Sequence, residues 1–315
     1  MSTFLVTGGA GFIGSHIAEA LVSKGHTVSV LDNLSTGKRE NLSAFENRVN
    51  FIEGDIRDTD VVAKAVRGVD YVIHQAALAS VPRSIADPST TNEVNTQGTL
   101  NLLEAAKNES VKRFVYASSS SVYGDSDVLP KVEEMRPQPK SPYAVSKLAG
   151  EFYCDVFNEV YSLSAVSLRY FNVFGPRQDP SSQYAAVVPI FVSSLLRGEP
   201  PTVFGDGGQS RDFTYIDNVV AANLMVCEAG PGNGTVYNVA CGDRYTLNSL
   251  YERLENIVGT QIKPIYDEPR IGDVRHSQAS IDAIRGSVGY EPTVGLDEGL
   301  ARTVEWYRRR VGSAT

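Results

Sequence analysis

Residues 4–14 run Phe-Leu-Val-Thr-Gly-Gly-Ala-Gly-Phe-Ile-Gly, a short apolar stretch followed by glycines at 8, 11 and 14 and then a helical pattern. An apolar strand that breaks on glycine and re-enters as a helix commits the chain to a βα unit. The start of such a helix presents free N–H groups and the positive end of its dipole. It therefore attracts a phosphate wherever side chains stay clear. Gly8, Gly11 and Gly14 supply the tight turn, the close backbone approach and the helix–strand packing this requires. Asp32 closes the next apolar run, 18 residues after Gly14. A carboxylate there can accept both hydroxyls of a ribose and would repel a 2′-phosphate, which predicts a dinucleotide site favouring NAD over NADP. Lys38 and Arg39 work against that preference, since either could swing towards such a phosphate.

The rest of the first half continues the rhythm. Thr27 to Leu31, Val49 to Ile52, Tyr71 to Ile73 and Arg113 to Tyr116 read as buried strands. Between them lie amphipathic segments such as Ser15 to Lys24, Val61 to Val66 and Gly98 to Lys107. Tyr143 to Tyr161 reads as a long helix and Ser164 to Arg169 as a further strand. Such alternation predicts a doubly wound, Rossmann-type parallel sheet with helices on both faces. Beyond residue 172 the prolines at 176, 180, 189, 200 and 201 and the glycines at 205, 207 and 208 break the chain into short elements. Val219 to Cys227 and Leu247 to Val258 look helical there, and Val236 to Ala240 looks like a returning strand. The expected division is a dinucleotide-binding domain over 1–172 and a smaller α/β substrate-binding lobe over 173–315, with some segments returning to the first domain.

Composition narrows the class. The 315 residues are 42% hydrophobic, and 29 Lys+Arg against 37 Asp+Glu leave a net charge of −8. An acidic chain without a long basic run is not expected to bind nucleic acid or an anionic membrane. Cys154, Cys227 and Cys241 are too few and too scattered for a disulfide framework, and together with His16, His26, His74 and His276 they show no metal-ligand spacing. His16 and His74 read as structural; His276 could reach a substrate. The opening strand and glycine turn leave no room for a signal peptide, so the expected location is the cytoplasm.

Tyr143 and Lys147 stand four residues apart, which puts both side chains on one helical face. An ammonium beside a phenol favours phenolate, as does an oxidised nicotinamide. Both pull a tyrosine down from about 10 and make it usable as a base. Ser118, Ser119, Ser120 and Ser121 follow the strand ending at Tyr116, at the carboxyl end where open α/β sheets bind their ligands. A serine hydroxyl there can hold a substrate oxygen and share its proton with Tyr143.

The glycine turn, the serine run before Val122-Tyr123-Gly124, and Tyr143-x-x-x-Lys147 resemble the extended short-chain dehydrogenase/reductase family. Arg169-Tyr170-Phe171-Asn172-Val173-Phe174-Gly175, Arg211-Asp212-Phe213 and Arg270-Ile271-Gly272-Asp273 resemble its nucleotide-sugar 4-epimerase branch. The likeness covers almost the whole chain. Alignment on Val122-Tyr123-Gly124 implies Ser119 as the catalytic serine, with Ser118 and Ser120 as neighbours one residue away. For the cofactor it implies Gly8, Gly11, Phe12, Ile13 and Gly14 at the turn, and Asp32, Asn33, Ser35, Thr36 and Gly37 after the second strand. Asp55 and Ile56 would flank the adenine, Ala76 would meet the diphosphate, and Gln75 and Ala77 beside it would belong to the same cofactor site. Asn95 would help hold the cofactor region, and Phe171, with Tyr143 and Lys147, would lie near the nicotinamide.

Relatives that dehydrate or decarboxylate place an acidic residue next to the catalytic serine or threonine; residues 119 to 122 here are Ser-Ser-Ser-Val. The resemblance therefore implies epimerisation at C4 of a UDP-hexose. Asn172, Arg211 and Arg270 would clamp the diphosphate, since a guanidinium meets phosphate oxygens with two parallel hydrogen bonds. Val203 and Phe204 would line the uracil pocket. Ala186 and Val187 fall in the 177–189 segment, which resembles epimerases of N-acetylated sugars, and Ser277 would leave open a gate beside the C2 substituent. The expected substrates are UDP-N-acetylglucosamine and UDP-N-acetylgalactosamine, with UDP-glucose/UDP-galactose or UDP-glucuronate as the alternative. A 4-ketosugar reductase or a non-catalytic NAD(P) sensor is a reading of another class, opposed by Asp32 and by the intact Tyr143 and Lys147. The family also implies a homodimer through a four-helix bundle, built here from the helices around Asn95 to Lys107 and Tyr143 to Tyr161.

Overall fold

The computed structural model describes residues 1–180, 186–229, 236–269 and 274–312. Its first half runs β1 (Thr3–Thr7), α1 (Phe12–Ser23), β2 (Thr27–Asp32), β3 (Val49–Glu53), α2 (Thr59–Val66), β4 (Tyr71–His74), α3 (Val81–Ala86) and α4 (Pro88–Asn92). A wide π-turn over Glu93–Gln97 leads into α5 (Gly98–Asn108), β5 (Arg113–Ser119), α6 (Pro142–Tyr161) and β6 (Ala165–Tyr170). The second half is built from β7 (Val173–Phe174), α7 (Val187–Leu196), β8 (Thr202–Phe204), β9 (Ser210–Arg211), β10 (Thr214–Tyr215) and α8 (Ile216–Glu228). It continues with β11 (Val236–Val239), β12 (Tyr245–Thr246), α9 (Leu247–Val258), β13 (Ile265–Asp267), α10 (Asp282–Val288) and α11 (Leu296–Gly312).

Seven strands form one sheet in the order β11-β6-β5-β4-β1-β2-β3, and every pairing in it is parallel. Successive side chains of a strand face opposite ways. Phe4 and Val6 of β1 accordingly join a core with α1 and α8, whereas Leu5 joins a second core with α2, α5 and α6. All six residues of β6 are buried, as a strand covered on both faces requires. The chain turns towards β2 after β1 but towards β5 after β4, so a crevice opens at the carboxyl ends of β1 and β4. β11 comes from the second half of the chain and pairs with β6 at the sheet edge.

Two local features set the site. Ser141 caps α6 by accepting the Ala144 N–H at 3.2 Å, and Pro142 fills the first helical position, so Tyr143 sits in the opening turn. By contrast, Gly11 precedes α1 with no side-chain cap, which leaves that helix start free for an anion. The break expected at Pro189 does not occur. Pro189 is the third residue of α7, where its missing N–H has no helical partner to lose. Among the described residues, no helix is long and apolar enough to cross a membrane.

Candidate active site

Gly8 adopts φ +65°, and a Cβ built on it would come within 2.6 Å of the Ala76 nitrogen. One on Gly14 would strike the Gly8 carbonyl at 2.2 Å. The helix start and the ends of β1 and β4 are thus closed up to a distance that only glycine allows, and beside them lies a cleft of about 230 Å³. Gly8, Gly11, Phe12, Ile13, Gly14, Asp32, Asn33, Ser35, Thr36, Asp55, Ile56, Gln75, Ala76 and Ala77 all line it, together with Leu78, Ala79 and Val94, which sequence reasoning missed. Asp32 is buried at the end of β2, its carboxylate accepting the Ala10 N–H at 3.0 Å and the Leu34 N–H at 2.8 Å. Burial pushes its carboxyl upward, and those two N–H groups pull it back. Gly37 packs on the same carboxylate, where a Cβ would come within 2.8 Å of both oxygens. Asn33 donates to Asp55 at 2.8 Å, and hydrogen bonds from Arg57 hold Asp55 down at about 2. An uncapped helix start, a glycine-walled cleft and a buried acid at its far end fit a dinucleotide.

The charges that might have served NADP point elsewhere. Lys38 Nζ lies 3.0 Å from Asp179, while Arg39 pairs with Glu46 and stacks over Phe51. Asn95 is buried outside the cleft; it accepts the Leu78 N–H at 2.8 Å and donates to Ser146 at 3.0 Å, so it ties the cleft's Leu78 wall to α6. Phe171 is fully buried against Tyr123 and lines none of these cavities.

At the end of β5 the Ser119 side chain stands close enough to Tyr143 to pull the phenol down, against burial that pushes it up more strongly. Lys147 lies one helical turn on, with Nζ 6.0 Å from the centre of the Tyr143 ring. Its ammonium donates to the Ala117 carbonyl at 2.8 Å, and burial lowers it from 10.5 to about 7 while Glu151 opposes the shift. Without a cofactor, the tyrosine is thus raised by burial rather than lowered by the lysine, contrary to the expectation from their spacing. Ser118 is turned away, donating to Glu151, and Glu151 is gripped by Arg169 through bonds of 2.9 and 2.7 Å. A carboxylate does approach the serine run, but both its oxygens are held from behind. Glu151 follows Lys147 by four residues, so its helical spacing could have revealed it.

A second cavity, of about 300 Å³, shares no lining residue with the first. Asn172, Ala186, Val187, Phe204 and Arg211 line it, with Phe191, Gln209, Phe213 and Leu247 in addition. Asn172 has a positive φ of 32° at the turn between β6 and β7. Arg211 donates to the carbonyls of Ser210 at 3.0 Å and Arg275 at 3.2 Å. Val203 is buried beneath Phe204 and does not line the cavity. Ser277 bonds its N–H to the Ser210 carbonyl at 3.0 Å, and its buried hydroxyl has no hydrogen-bond partner. Arg270 lies outside the described residues. The neighbouring His276 is engaged with the Ser210 hydroxyl at 2.8 Å. His74 sits between Thr7 and Thr99 and burial drives it down to about 3; His16, down to about 4 for the same reason, meets the Pro176 carbonyl. Among the described residues, no three His, Cys, Asp or Glu side chains cluster to hold a metal.

Comparison with known proteins agrees with this geometry. Residues 4–240 match the model of the NAD dependent epimerase/dehydratase family. The chain is 41% identical to the UDP-glucose 4-epimerase of Mycolicibacterium smegmatis over 97% of its own length and 98% of the relative's. It superimposes on the UDP-N-acetylglucosamine 4-epimerase of Methanobrevibacter ruminantium, solved in complex with UDP-N-acetylmuramic acid, with a TM-score of 0.94. The two are 42% identical, with 98% and 99% of the chains covered. The UDP-glucose 4-epimerase of Thermus thermophilus, solved with NAD, gives a TM-score of 0.89 at 42% identity over 97% and 99% of the chains. With a glycine-walled dinucleotide cleft, a second cavity and a serine beside a tyrosine at the carboxyl end of β5, the chain belongs to the NAD dependent epimerase/dehydratase family, in its UDP-sugar 4-epimerase branch.

Proposed function

We propose that the protein interconverts UDP-N-acetylglucosamine and UDP-N-acetylgalactosamine by inverting C4. The observation that carries the reading is the placement of Ser119, at the carboxyl end of β5, beside Tyr143, with Lys147 on the same face of α6. When bound, NAD supplies the acceptor and donor of a hydride. Gly8, Gly11 and Gly14 would hold its diphosphate against the start of α1, and Asp32 its adenosine ribose. Tyr143 takes the sugar O4 proton and later returns it, Ser119 orients that oxygen, and the charge of Lys147 favours the phenolate. Asn172, Arg211 and Arg270 keep the diphosphate anchored while the 4-keto sugar turns its other face. Among the described residues, the carboxylate that approaches the serine run, Glu151, is held by Arg169 and Ser118 and is not free to drive an elimination.

The acetylated substrate is supported by Ser277, whose small side chain would leave room at the position the family resemblance assigns to the gate, and whose buried hydroxyl lacks a partner of its own. UDP-glucose/UDP-galactose is the second reading, because relatives of comparable identity carry that activity in their names. The protein also acts as a homodimer in this proposal. Val145, Phe152, Val156 and Val160 stand exposed along one side of α6, with Ile85 also exposed. A second copy would cover that row.

Incubation of the purified protein with each UDP-sugar, followed through the anomeric proton by NMR, tests the assignment. Conversion of UDP-N-acetylglucosamine at least as fast as UDP-glucose is expected. Turnover of UDP-glucose alone would remove the acetylated substrate and leave the chemistry.

A further inference from the structure

Behind the serine–tyrosine pair lies a polar cluster with no contact to either cavity. Glu151 and Arg169 are 2% and 4% exposed at their side chains, and their bidentate pairing joins the middle of α6 to β6. Two further bonds run from β5 to the same helix. Ser118 donates to Glu151, and Lys147 donates to the carbonyl of Ala117 at 2.8 Å. Ala117 and Ser118 immediately precede Ser119, and β5 and β6 are in register with Ser118 opposite Arg169. Tyr143, Lys147 and Glu151 recur at four-residue intervals, so one helical face carries all three.

Resting on the proposed function above, we infer that the Glu151–Arg169 pair is a positioning element for the reaction: it pins the end of β5 to α6 and so sets where Ser119 meets Tyr143. Two consecutive β5 residues are fixed to α6 just before the serine, and the carboxylate that fixes one of them is itself immobilised by a guanidinium fork. Loss of that anchor lets β5 shift relative to the helix that carries the base. A misplacement of about 1 Å is worth on the order of a hundredfold in rate.

The pair also sets the charge around Lys147. The ammonium faces Tyr143 on its own helix, Tyr116 on β5, 5.0 Å from Nζ to the ring centre, and neutral His74 on β4. Among the described residues, Glu151 is the charged group that holds it up against burial. Arg169, with Tyr123 and Glu133 beside it, and the thiol of Cys154 stand around that carboxylate. Removing Glu151 therefore costs Lys147 its proton at a lower pH.

A bare stabilising role is separated from positioning by replacing the whole pair. Glu151→Gln strands a buried guanidinium and risks unfolding, whereas Glu151→Leu with Arg169→Met keeps the volume and removes both charges, a change that buried pairs often tolerate. The double variant, confirmed folded by its thermal transition, is compared with the wild type in the anomeric-proton assay. Expected are a KM within about twofold, a kcat lower by about a hundredfold, and a descending alkaline limb displaced to lower pH. Wild-type kcat in the folded double variant, or a loss carried wholly by KM, overturns the inference. A wild-type protein that converts no UDP-sugar would instead refute the assigned function, before any variant is compared.

Discussion

The side chain of Lys38 ends 3.0 Å from the carboxylate of Asp179, a residue brought in by the turn that follows β7. The contact draws a cation away from the ribose end of the cofactor cleft, where it would otherwise welcome a 2′-phosphate beside Asp32. Partly exposed ion pairs are worth about 0.2–1 kcal/mol, so Asp179→Asn should narrow the preference for NAD over NADP by only about 1.4- to fivefold. Asp32→Asn should narrow it further, because it removes the repelling charge. Reactivation of cofactor-stripped protein by each nucleotide measures both; an unchanged ratio in Asp179→Asn would assign the pair no part in selection.

Tyr143→Phe removes the proton acceptor and leaves the helix intact, since Ser141 and Pro142 rather than the phenol cap α6. General acid–base groups contribute about 10²–10⁴ in rate, and a loss of that size in kcat with unchanged thermal stability is expected. Ser119→Ala should cost less, because the phenol remains. Ser118→Ala should leave NAD binding intact. A Tyr143→Phe protein with near-normal turnover would move the base elsewhere.

These groups differ in how far they could be read from the chain. Gly8, Gly14 and Asp32 are legible because one βα unit and the next strand bring them together, and the spacing of Tyr143 and Lys147 is a helix repeat. The Glu151–Arg169 pair needs β6 laid beside β5 in register, which no local pattern encodes. Lys38 with Asp179 requires two distant turns to meet. Pro189 was misread for a local reason: proline breaks a helix interior but is harmless in a first turn, and the start of α7 carries no side-chain cap to mark it. Asp212 follows Arg211 directly in the chain but serves a different end. It is buried and accepts the backbone N–H groups of Cys241, Gly242 and Ala279, contacts that close only when three loops converge.

Activity should fall on the alkaline side at a modest pH. Burial lowers Lys147 to about 7 in the cofactor-free protein. Its ammonium is therefore complete only below that value and is lost as pH rises through it. A step that depends on the positive charge loses rate in the same direction. The kcat/KM profile, which reports free-enzyme groups, should show this descending limb, and Lys147→Arg, which stays charged, should remove it at the expense of a lower maximum. A rate that keeps climbing through that range in the wild type would mean that the charge is not required.

The gate reading turns on one residue. Ser277→Tyr would replace a small side chain, whose buried hydroxyl has no partner, with a ring that fills the space beside the sugar. Overpacking of this kind costs about 1–3 kcal/mol, or roughly five- to 150-fold, and should fall on the acetylated sugar alone. Rates for UDP-N-acetylglucosamine and UDP-glucose in the same variant form the test. An equal effect on both would place Ser277 away from the C2 substituent.

Phe152 is 57% exposed on α6, between Val145 and Val156 on the same side of the helix. An apolar row of this length facing water is costly unless a partner covers it. Two α6 helices packed across a twofold axis would present each row to its copy, and a charge placed there would be buried twice, once per protomer. Phe152→Glu should therefore halve the mass measured by light scattering while leaving the folded monomer intact, because the side chain contributes to neither core. A wild-type protein that runs as a monomer at all concentrations would refute the proposed interface directly. If the variant remained dimeric, the twofold contact would have to lie on another face.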